Sequence, residues 1–211
     1  MNLNIVSNFD IRISKLVMNI AILGGAFNPP HLGHGLIAKQ ILDFTATSEV
    51  WLTPCYQHTF QKSLAPLNHR ITMTKMLADN KIKYCGEEIN HQLSGNTFDL
   101  MVILKKQYPQ HHFYFIIGSD NLKDFKKWGS WEKLITTTDF LVFPRPRFEY
   151  NLKKYDLDNK AYKFQLIRNP LLIYSNISST NIRKRLKLGL SIDCLVPEKV
   201  KEYIEKNRLY T

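Results

Sequence analysis

The stretch "NIAILGGAFNPPHLGH", residues 19–34, runs a short apolar segment directly into paired glycines, two prolines and two histidines. Residues 19–23 have the pattern of a buried strand, and the apolar spacing of residues 36–44 predicts a helix that begins near Leu32. Paired glycines allow the backbone to turn sharply and to approach a ligand closely. The stretch therefore predicts a strand, a tight turn and a helix N-terminus, where proteins commonly bind anions.

The rest of the chain alternates between strand-like and helix-like patterns. This alternation predicts an α/β fold, namely a Rossmann-like, doubly wound, mostly parallel sheet with helices on both faces. Ligands bind such sheets outside the carboxyl ends of the strands. The further predicted strands are residues 49–53, 82–85, 113–117, 139–143 and 170–174, and the further predicted helices are residues 67–77, 97–108, 131–135, 178–189 and 196–207.

Polar clusters follow three of the predicted strands, at residues 24–34, 118–131 and 175–183. Because the carboxyl ends of parallel strands meet at the same edge of a sheet, we expect the three clusters to form one site. The last cluster contains the start of a helix, for which Ser178 or Ser179 is the predicted N-cap.

The chain has 211 residues, of which 44% are hydrophobic and 22% charged, as in ordinary globular proteins. We expect one domain, residues 19–211, preceded by an arm, residues 1–18. No apolar run approaches the roughly 20 residues of a membrane-spanning helix, and the first residues do not resemble a signal peptide. The cysteines, Cys55, Cys85 and Cys194, are widely separated, which argues against a disulfide framework. These features predict a cytoplasmic protein with no membrane partner.

The formal net charge of the chain is +11. Such a charge attracts polyanions, either nucleotides or nucleic acid, but it is also typical of a lysine-rich surface that keeps a protein in solution. We favour a mixture of the two, because the lysines are scattered and form no long basic block. A basic nucleic-acid-binding protein is the less favoured alternative, because the chain has no recognisable RNA- or DNA-binding motif.

His31 and His34 lie three residues apart, which places both imidazoles on one face of the first helical turn. Two imidazoles at a helix N-terminus can donate hydrogen bonds to phosphate oxygens, so the pair predicts a triphosphate site. A metal site uses similar spacing, but no cysteine, aspartate or third histidine stands nearby to complete it. A plain structural turn is the remaining alternative. The stretch lacks both the Gly-x-Gly-x-x-Gly pattern of a dinucleotide site and the Gly-Lys-Ser/Thr ending of a P-loop.

A family resemblance runs from about Asn19 to the C-terminus. "GGAFNPPHLGH", residues 24–34, resembles the Gly-x-Phe-x-Pro-x-His-x-Gly-His signature of the nucleotidylyltransferase superfamily, and "ISSTNIR", residues 177–183, resembles its second hallmark, Ile-Ser-x-Thr-x-x-Arg. The segments that resemble bacterial nicotinate-nucleotide adenylyltransferases are "FIIGSDNLKDFKKW" (115–128), "PRP" (144–146) and "LVPEKVKEYIEKNRLY" (195–210).

The resemblance implies a reaction. The 5′-phosphate of nicotinate mononucleotide attacks the α-phosphorus of ATP in line, pyrophosphate leaves, and nicotinate adenine dinucleotide forms, with Mg²⁺ bound to the ATP. The family forms no covalent enzyme intermediate. Catalysis would then consist of positioning and charge stabilisation.

The resemblance also implies the catalytic residues. His34 would stabilise the charge that develops on the α-phosphate, His31 would hold the triphosphate, and Arg183 would neutralise the departing pyrophosphate. On its own the second hallmark is typical of an ordinary capped helix, and only its pairing with the first favours a site. The implied ATP-binding residues are these three together with Gly24, Gly25, Ala26, Phe27, Gly118, Asp120, Ser178, Ser179 and Thr180.

The acceptor side of the implied site depends on different residues. Trp128 matches the tryptophan that stacks on the pyridine ring, although a core aromatic is the alternative interpretation. Backbone N–H groups near Thr97 and Gly129 would bind the nicotinate carboxylate. His58 and Lys62 are equally compatible with binding the mononucleotide phosphate and with being plain loop residues.

The sequence departs from the family pattern at a few positions. Ala26 stands where the family usually has Thr or Ser, and Asn28 replaces the commoner Asp. The loop of residues 54–62 lacks the usual Asn and Pro followed by a basic residue. These departures leave nicotinamide mononucleotide open as an acceptor. An enzyme of the same fold with phosphopantetheine as acceptor is a further alternative, and the oligomeric state is not predicted.

Overall fold

A computed structural model describes residues 17–57 and 64–211. Within these residues, neighbouring strands pair in parallel in one sheet of six, with the order β3-β2-β1-β4-β5-β6. The predicted doubly wound parallel sheet is therefore confirmed. The strands are β1 (Asn19–Gly25), β2 (Glu49–Pro54), β3 (Ile82–Tyr84), β4 (His112–Gly118), β5 (Asp139–Phe143) and β6 (Phe164–Leu166).

Helices connect the strands and cover the sheet. Two short 3-10 helices, Ser119–Lys127 and Lys153–Tyr155, were not predicted from the sequence. Most of the predicted N-terminal arm, residues 1–16, lies outside the described residues. The α-helices are α1 (Leu32–Phe44), α2 (Leu67–Lys75), α3 (Glu87–Asn90), α4 (Thr97–Gln107), α5 (Trp131–Thr137), α6 (Ser179–Lys187) and α7 (Glu198–Lys206).

Both faces of the sheet are buried. Along β1, Ile20 and Ile22 pack into one hydrophobic cluster, while Ala21 and Leu23 pack into another on the opposite face. A parallel strand covered on both sides needs a continuous apolar run, which explains why "NIAIL" is apolar at successive positions. A third cluster joins α2, α6 and α7 through Met73, Ile182, Val200 and Ile204. Full burial of each large apolar side chain contributes about 1.5–3 kcal/mol.

The strand order reverses between β1 and β4. The pairing of β1 with β4 ends at Ile22 and Phe115, whereas β1 stays paired with β2 as far as Gly25. On the other side, β4 stays paired with β5 as far as Gly118. The two central strands therefore part at their carboxyl ends. This opens a crevice at the switch point, where ligands of doubly wound sheets bind.

The predicted sixth strand is wrong. Residues 170–174 lie in no strand, and Leu171 and Ile173 are 72% and 60% exposed. The backbone of Ile173 instead bonds to the Gln40 side chain, which donates to its carbonyl at 3.0 Å and accepts from its N–H at 2.6 Å. The true last strand is Phe164–Leu166, which packs through a ring stack between Phe164 and Phe140. The apolar run at residues 170–174 therefore predicted a strand that does not form. The backbone of Ile173 pairs with the side-chain amide of Gln40 and not with a neighbouring strand.

Candidate active site

The turn after β1 is shaped by close packing. A Cβ atom on Gly24 would lie 2.9 Å from Cζ of Phe115, so the strand can pass there only without a side chain. Phe27 has a positive φ of 46° and is 1% exposed. Its ring lies 4.7 Å from the ring of His34, centroid to centroid. The turn is therefore packed against the imidazole that follows it.

The two histidines form one unit at the start of α1. His31 is the N-cap residue, and the Nδ1 atom of His34 accepts its backbone N–H at 3.1 Å. The ring centroids lie 3.8 Å apart. Because Nδ1 of His34 is an acceptor, a neutral ring carries its proton on Nε2, which is then a donor. A Cβ atom on Gly33 would lie 2.9 Å from Nδ1 of His31, so a side chain at position 33 would crowd the His31 ring.

Both imidazoles are held neutral. Burial, together with the smaller effect of the Arg145 charge, lowers the pKa of His31 to about 4. Burial also lowers the pKa of His34 well below its ordinary value, with contributions from His31 and Arg145. An anion beside an imidazole favours its charged form and so raises its pKa. The pair can therefore meet a phosphate as neutral donors and gain positive character as negative charge develops nearby.

The N-terminus of α6 has its own local signals. Ser178 is the N-cap, and its Oγ accepts the backbone N–H of Asn181 at 3.2 Å, as predicted for one of the two serines. The helix ends where Gly189 adopts a positive φ of 65°, and the N–H of Leu190 donates to the carbonyl of Arg185 at 2.9 Å. This is a Schellman ending, which requires a residue that tolerates the left-handed region.

Two hydrogen bonds join α6 to the turn that precedes α1. The Oγ atom of Ser179 donates to the carbonyl of Pro29 at 2.8 Å. Nη1 of Arg183 donates to the carbonyl of Asn28 at 2.7 Å, and Nη2 lies 3.4 Å from Oγ1 of Thr180. The structure therefore brings the starts of α1 and α6 side by side, although the two sequences are about 150 residues apart.

A cavity of about 320 Å³ occupies the crevice between β1 and β4. Its lining contains some of the residues predicted to bind ATP and some of those predicted to bind the acceptor, so members of both groups line one cavity. The predicted residues in the lining are Gly24, Gly25, Ala26, His34, Thr97, Gly118, Trp128 and Gly129. Those outside the lining are Phe27, His31, Asp120, Ser178, Ser179, Thr180 and Arg183.

Trp128 presents an aromatic face to this cavity. Its ring stacks on Phe125 at a centroid distance of 5.3 Å with 24° between the planes. The edge of Phe115 supports it from the side at 6.2 Å. Trp128 is half-buried, so it is both a core aromatic and a lining residue.

The start of α4 lies on the same side of the cavity. Asn96 is the N-cap, and its Oδ1 accepts the N–H of Phe98 at 3.1 Å. A Cβ atom on Gly129 would lie 3.1 Å from Cγ of Asn96, so the backbone after Trp128 packs directly against the helix start. Thr97 is the first residue of α4. Backbone N–H groups and an aromatic ring therefore converge on this end of the cavity.

Comparison with known proteins identifies the family. The sequence profile of the cytidylyltransferase-like family matches residues 22–185. The chain belongs to this family. The match extends from β1 to α6 and so includes the crevice, the histidine pair and Arg183.

The chain is similar to cytidylyltransferase-like proteins of one particular activity. It is 34% identical over 195 residues to a probable nicotinate-nucleotide adenylyltransferase of Bacillus licheniformis, covering 90% of this chain and 97% of that one. It is 32% identical to the nicotinate-nucleotide adenylyltransferase of Bacillus subtilis, with the same coverage. A solved structure of Plasmodium falciparum nicotinic acid mononucleotide adenylyltransferase, complexed with NaAD, has a TM-score of 0.77 and 30% identity, covering 92% of this chain and 97% of that one.

One residue of the cavity lining was assigned no role from the sequence. Arg145 follows β5, lines the cavity, and places its Nε atom 3.9 Å from Oδ1 of Asp120. Its Nη1 atom reaches the carbonyl of Ser175 at 3.4 Å, just before α6. A Cβ atom on Gly118 would lie 2.1 Å from the same Asp120 oxygen. The available signal was the "PRP" segment, which contains Arg145 but does not reveal where its side chain points.

A second unpredicted residue is Arg70 on α2, which is 2% exposed. Its guanidinium donates to four backbone carbonyls: Cys55 at 2.7 Å, Ala26 at 3.1 Å, Ala65 at 3.2 Å and Tyr56 at 3.3 Å. The buried Arg70 guanidinium thus connects the turn after β1 to both ends of the loop that follows β2. The amphipathic pattern of α2 gave no indication that this arginine is buried.

Two predicted residues, His58 and Lys62, fall outside the described residues. Of the chain that is described, no helix has both the length and the apolar character to cross a membrane.

Proposed function

We infer that this protein is a nicotinate-nucleotide adenylyltransferase. It transfers AMP from ATP to nicotinate mononucleotide, giving nicotinate adenine dinucleotide and pyrophosphate in NAD biosynthesis. The observation that carries this inference is the cavity between β1 and β4, whose lining contains both His34 and Trp128. Relatives of matching length that carry this activity in their names support it.

The chemistry requires no protein nucleophile. An oxygen of the 5′-phosphate forms a bond to the α-phosphorus of ATP, and the bond from that phosphorus to the bridging oxygen breaks. The electron pair leaves with pyrophosphate. Nε2 of His34 donates to the α-phosphate as charge builds on it, while His31, packed against that ring, holds the triphosphate.

The departing pyrophosphate is assigned to α6. The N–H groups at its start, with the hydroxyls of Ser178, Ser179 and Thr180, would bind the β- and γ-phosphates. Arg183 neutralises the leaving charge, and its bond to the carbonyl of Asn28 orients the guanidinium before ATP arrives.

The remaining ATP contacts are assigned to the turn after β1 and to the end of β4. Phe27 is buried, so only its backbone can serve the nucleotide. Asp120 and Arg145 face each other across 3.9 Å beside Gly118, a geometry that suits the ribose and the phosphates of one ligand. The residues assigned to these contacts are Gly24, Gly25, Ala26, Phe27, Gly118 and Asp120.

The acceptor is assigned to the opposite end of the cavity. Trp128, fixed from behind by Phe125, stacks on the pyridine ring. The backbone N–H groups near Thr97 and Gly129 bind the nicotinate carboxylate. His58 and Lys62 remain assigned to the 5′-phosphate of the acceptor.

Mg²⁺ fits this site as a companion of ATP rather than as a resident of the protein. Across residues 17–57 and 64–211, no three His, Cys, Asp or Glu side chains come together to hold a metal ion. Mg²⁺ characteristically keeps several waters and binds substrate phosphates, so it needs no such cluster. When bound, it would neutralise charge on the phosphates, while His34 and Arg183 supply the fixed donors.

We also assign the enzyme to the cytoplasm, where the free thiols of Cys55, Cys85 and Cys194 stay reduced. ATP and nicotinate mononucleotide are its proposed partners, with no nucleic acid and no membrane.

An acceptor panel tests the proposal. The protein is incubated with ATP, Mg²⁺ and, in separate reactions, nicotinate mononucleotide, nicotinamide mononucleotide or phosphopantetheine, and pyrophosphate release and the dinucleotide product are measured. We expect the largest kcat/KM with nicotinate mononucleotide. Preferential turnover of phosphopantetheine would show a different acceptor on the same fold. Salt-sensitive oligonucleotide binding without any pyrophosphate release would instead support a nucleic-acid-binding protein.

A further inference from the structure

A buried carboxylate faces the acceptor end of the cavity and has no role in the mechanism above. Glu88 on α3 is 5% exposed and lines the same cavity as Thr97 and Trp128. Its Oε1 atom accepts the backbone N–H of Tyr56 at 3.3 Å. Among the described residues, it forms no ion pair within 4 Å. A carboxylate in such a place needs an explanation, because burying an unpaired charge is costly.

The nearest cation to Glu88 is already engaged. Arg70 lowers the Glu88 pKa somewhat, but its guanidinium is held by the four carbonyls described above. Burial dominates and raises the pKa of Glu88 to about 7. The other titratable groups around it are the neighbouring Glu87 and the thiols of Cys55 and Cys85, which directly follow β2 and β3. Lys127, Arg145 and His34 face the cavity from its other sides.

We propose that Glu88 is a specificity-determining residue: its carboxyl group, by being neutral or charged, sets how strongly the enzyme prefers a pyridine mononucleotide bearing a carboxylate over one bearing a carboxamide. The proposal rests on the function inferred above and names a further determinant of its acceptor.

The two acceptors make the electrostatic comparison simple. They share the pyridinium ring, the ribose and the 5′-phosphate, and they differ only in the ring substituent, which is a negatively charged carboxylate in one and a neutral carboxamide in the other. A charged Glu88 therefore disfavours nicotinate mononucleotide relative to the amide wherever the substituent lies in the cavity. For any separation of the two charges up to about 12 Å, at an effective dielectric constant of about 20, the discrimination changes about tenfold or more.

The sign of the pH dependence follows. Below neutral pH the carboxyl group of Glu88 is protonated, and the preference for the nicotinate form is fully expressed. As the pH rises through about 7, Glu88 ionises and the preference falls. Binding of the nicotinate form also raises the pKa of Glu88, so it is accompanied by proton uptake.

The experiment uses the full chain and measures a ratio. For each acceptor, kcat/KM and Kd are determined from pH 6 to pH 8.5, and the nicotinate value is divided by the nicotinamide value. The titration of the shared phosphate cancels in this ratio, and the variants below separate the titration of Glu88 from that of other protein groups. For the wild-type protein, we expect the preference for nicotinate to fall about tenfold across the range.

A matched pair of variants isolates the charge. Glu88→Gln keeps the size of the side chain and an oxygen for the Tyr56 N–H, so its ratio should stay high and independent of pH. Glu87→Gln is the control, because Glu87 lies on the same helix but bonds to Tyr108 and is absent from the cavity lining. It should keep the wild-type pH dependence.

The outcomes separate this inference from the proposed function. A flat wild-type ratio, or a Glu88→Gln protein that keeps the wild-type slope, overturns the role of Glu88 even if turnover is normal. A pH-dependent ratio of Kd values without turnover would support Glu88 while contradicting the proposed reaction. If neither mononucleotide binds at any pH, both are overturned.

Discussion

The two ends of the cavity are built by different means. The proposed nucleotide side, residues 24–34 with residues 178–183, is joined by hydrogen bonds from Arg183 to the carbonyl of Asn28 and from Ser179 to the carbonyl of Pro29. The acceptor side, made of α3, the start of α4 and residues 128–129, consists of an aromatic face, backbone N–H groups and one buried carboxylate. Few side-chain hydrogen bonds cross between its elements, of which Asn96 to Ser130 at 3.5 Å is one.

The difference matches what each side has to bind. A triphosphate that develops charge during the reaction is best stabilised by donors already fixed in place, because fixed donors need no reorganisation at that moment. A flat pyridine ring with one small substituent needs an aromatic surface on which to stack and a few N–H groups that bind the substituent. We therefore expect substitutions on the nucleotide side to reduce turnover, and substitutions on the acceptor side to change the choice and the KM of the acceptor.

The largest expected effect is that of His34→Ala. Removing the donor at the α-phosphate should lower kcat by about 10²–10³-fold, the usual cost of losing one preorganised donor. Steady-state kinetics measure this loss, and circular dichroism checks that the fold is retained.

The control for this variant is His112→Ala, which removes an exposed imidazole paired with Asp139 on β5. It should leave kcat unchanged. Near-normal turnover in His34→Ala would remove His34 from the mechanism and with it the contrast between the two sides.

The next effect is that of Arg183→Lys. An ammonium group cannot donate to Asn28 and to a phosphate with the planar geometry of a guanidinium, so the KM for ATP should rise roughly 10- to 100-fold. The KM for the acceptor should change little. Arg185→Lys is the matched control, because Arg185 lies on the same helix and its side chain donates to the exposed carbonyl of Ser191. Equal effects of the two variants would contradict a specific role for Arg183.

The same contrast explains what the sequence could reveal. Gly24 and His34 were predicted because paired glycines and two histidines three residues apart at a helix start suit a phosphate site, whereas Arg183 was predicted only from the family resemblance of residues 177–183. Arg70 and Glu88 were missed, because burial of a charged residue depends on what packs around it and leaves no periodic signal in the sequence. Backbone recognition near Gly129 is likewise invisible in side-chain patterns.

The fold shows a similar division. Five of the six strands were predicted: the four inner strands from their apolar runs, which burial on both faces requires, and the edge strand β3 from the pattern at residues 82–85. The edge strand Phe164–Leu166 was missed because three residues, one of them a polar glutamine, carry too little pattern. Residues 170–174 have a longer apolar run than Phe164–Leu166, but they pair with no strand. The four inner strands could therefore be predicted from the sequence, whereas of the two edge strands β3 was predicted and β6 was missed.

Trp128→Ala tests the acceptor side. Losing the aromatic face should raise the KM for nicotinate mononucleotide about tenfold while leaving the KM for ATP nearly unchanged. Trp128→Phe, which keeps a flat ring on Phe125, should recover most of the loss. Kinetics with each substrate varied in turn distinguish this pattern from general destabilisation of the fold, which would affect turnover with both substrates. A rise confined to the KM for ATP would place the Trp128 ring on the nucleotide side of the cavity.

The smallest expected effect comes from a pair of glycine substitutions. In Gly118→Ala, the new methyl group meets Oδ1 of Asp120 at 2.1 Å and must push that side chain away from its position near Arg145. Rotation of one side chain costs about 0.5–1.5 kcal/mol, so the KM for ATP should rise about threefold. In Gly35→Ala, the methyl group on α1 meets nothing within 4 Å. That variant should keep its ATP affinity and gain about 0.5–1 kcal/mol of stability in urea denaturation, because alanine favours a helix. An unchanged KM in Gly118→Ala would show that Asp120 does not contribute to ATP binding. The preorganised nucleotide side would then reduce to the histidine pair and α6.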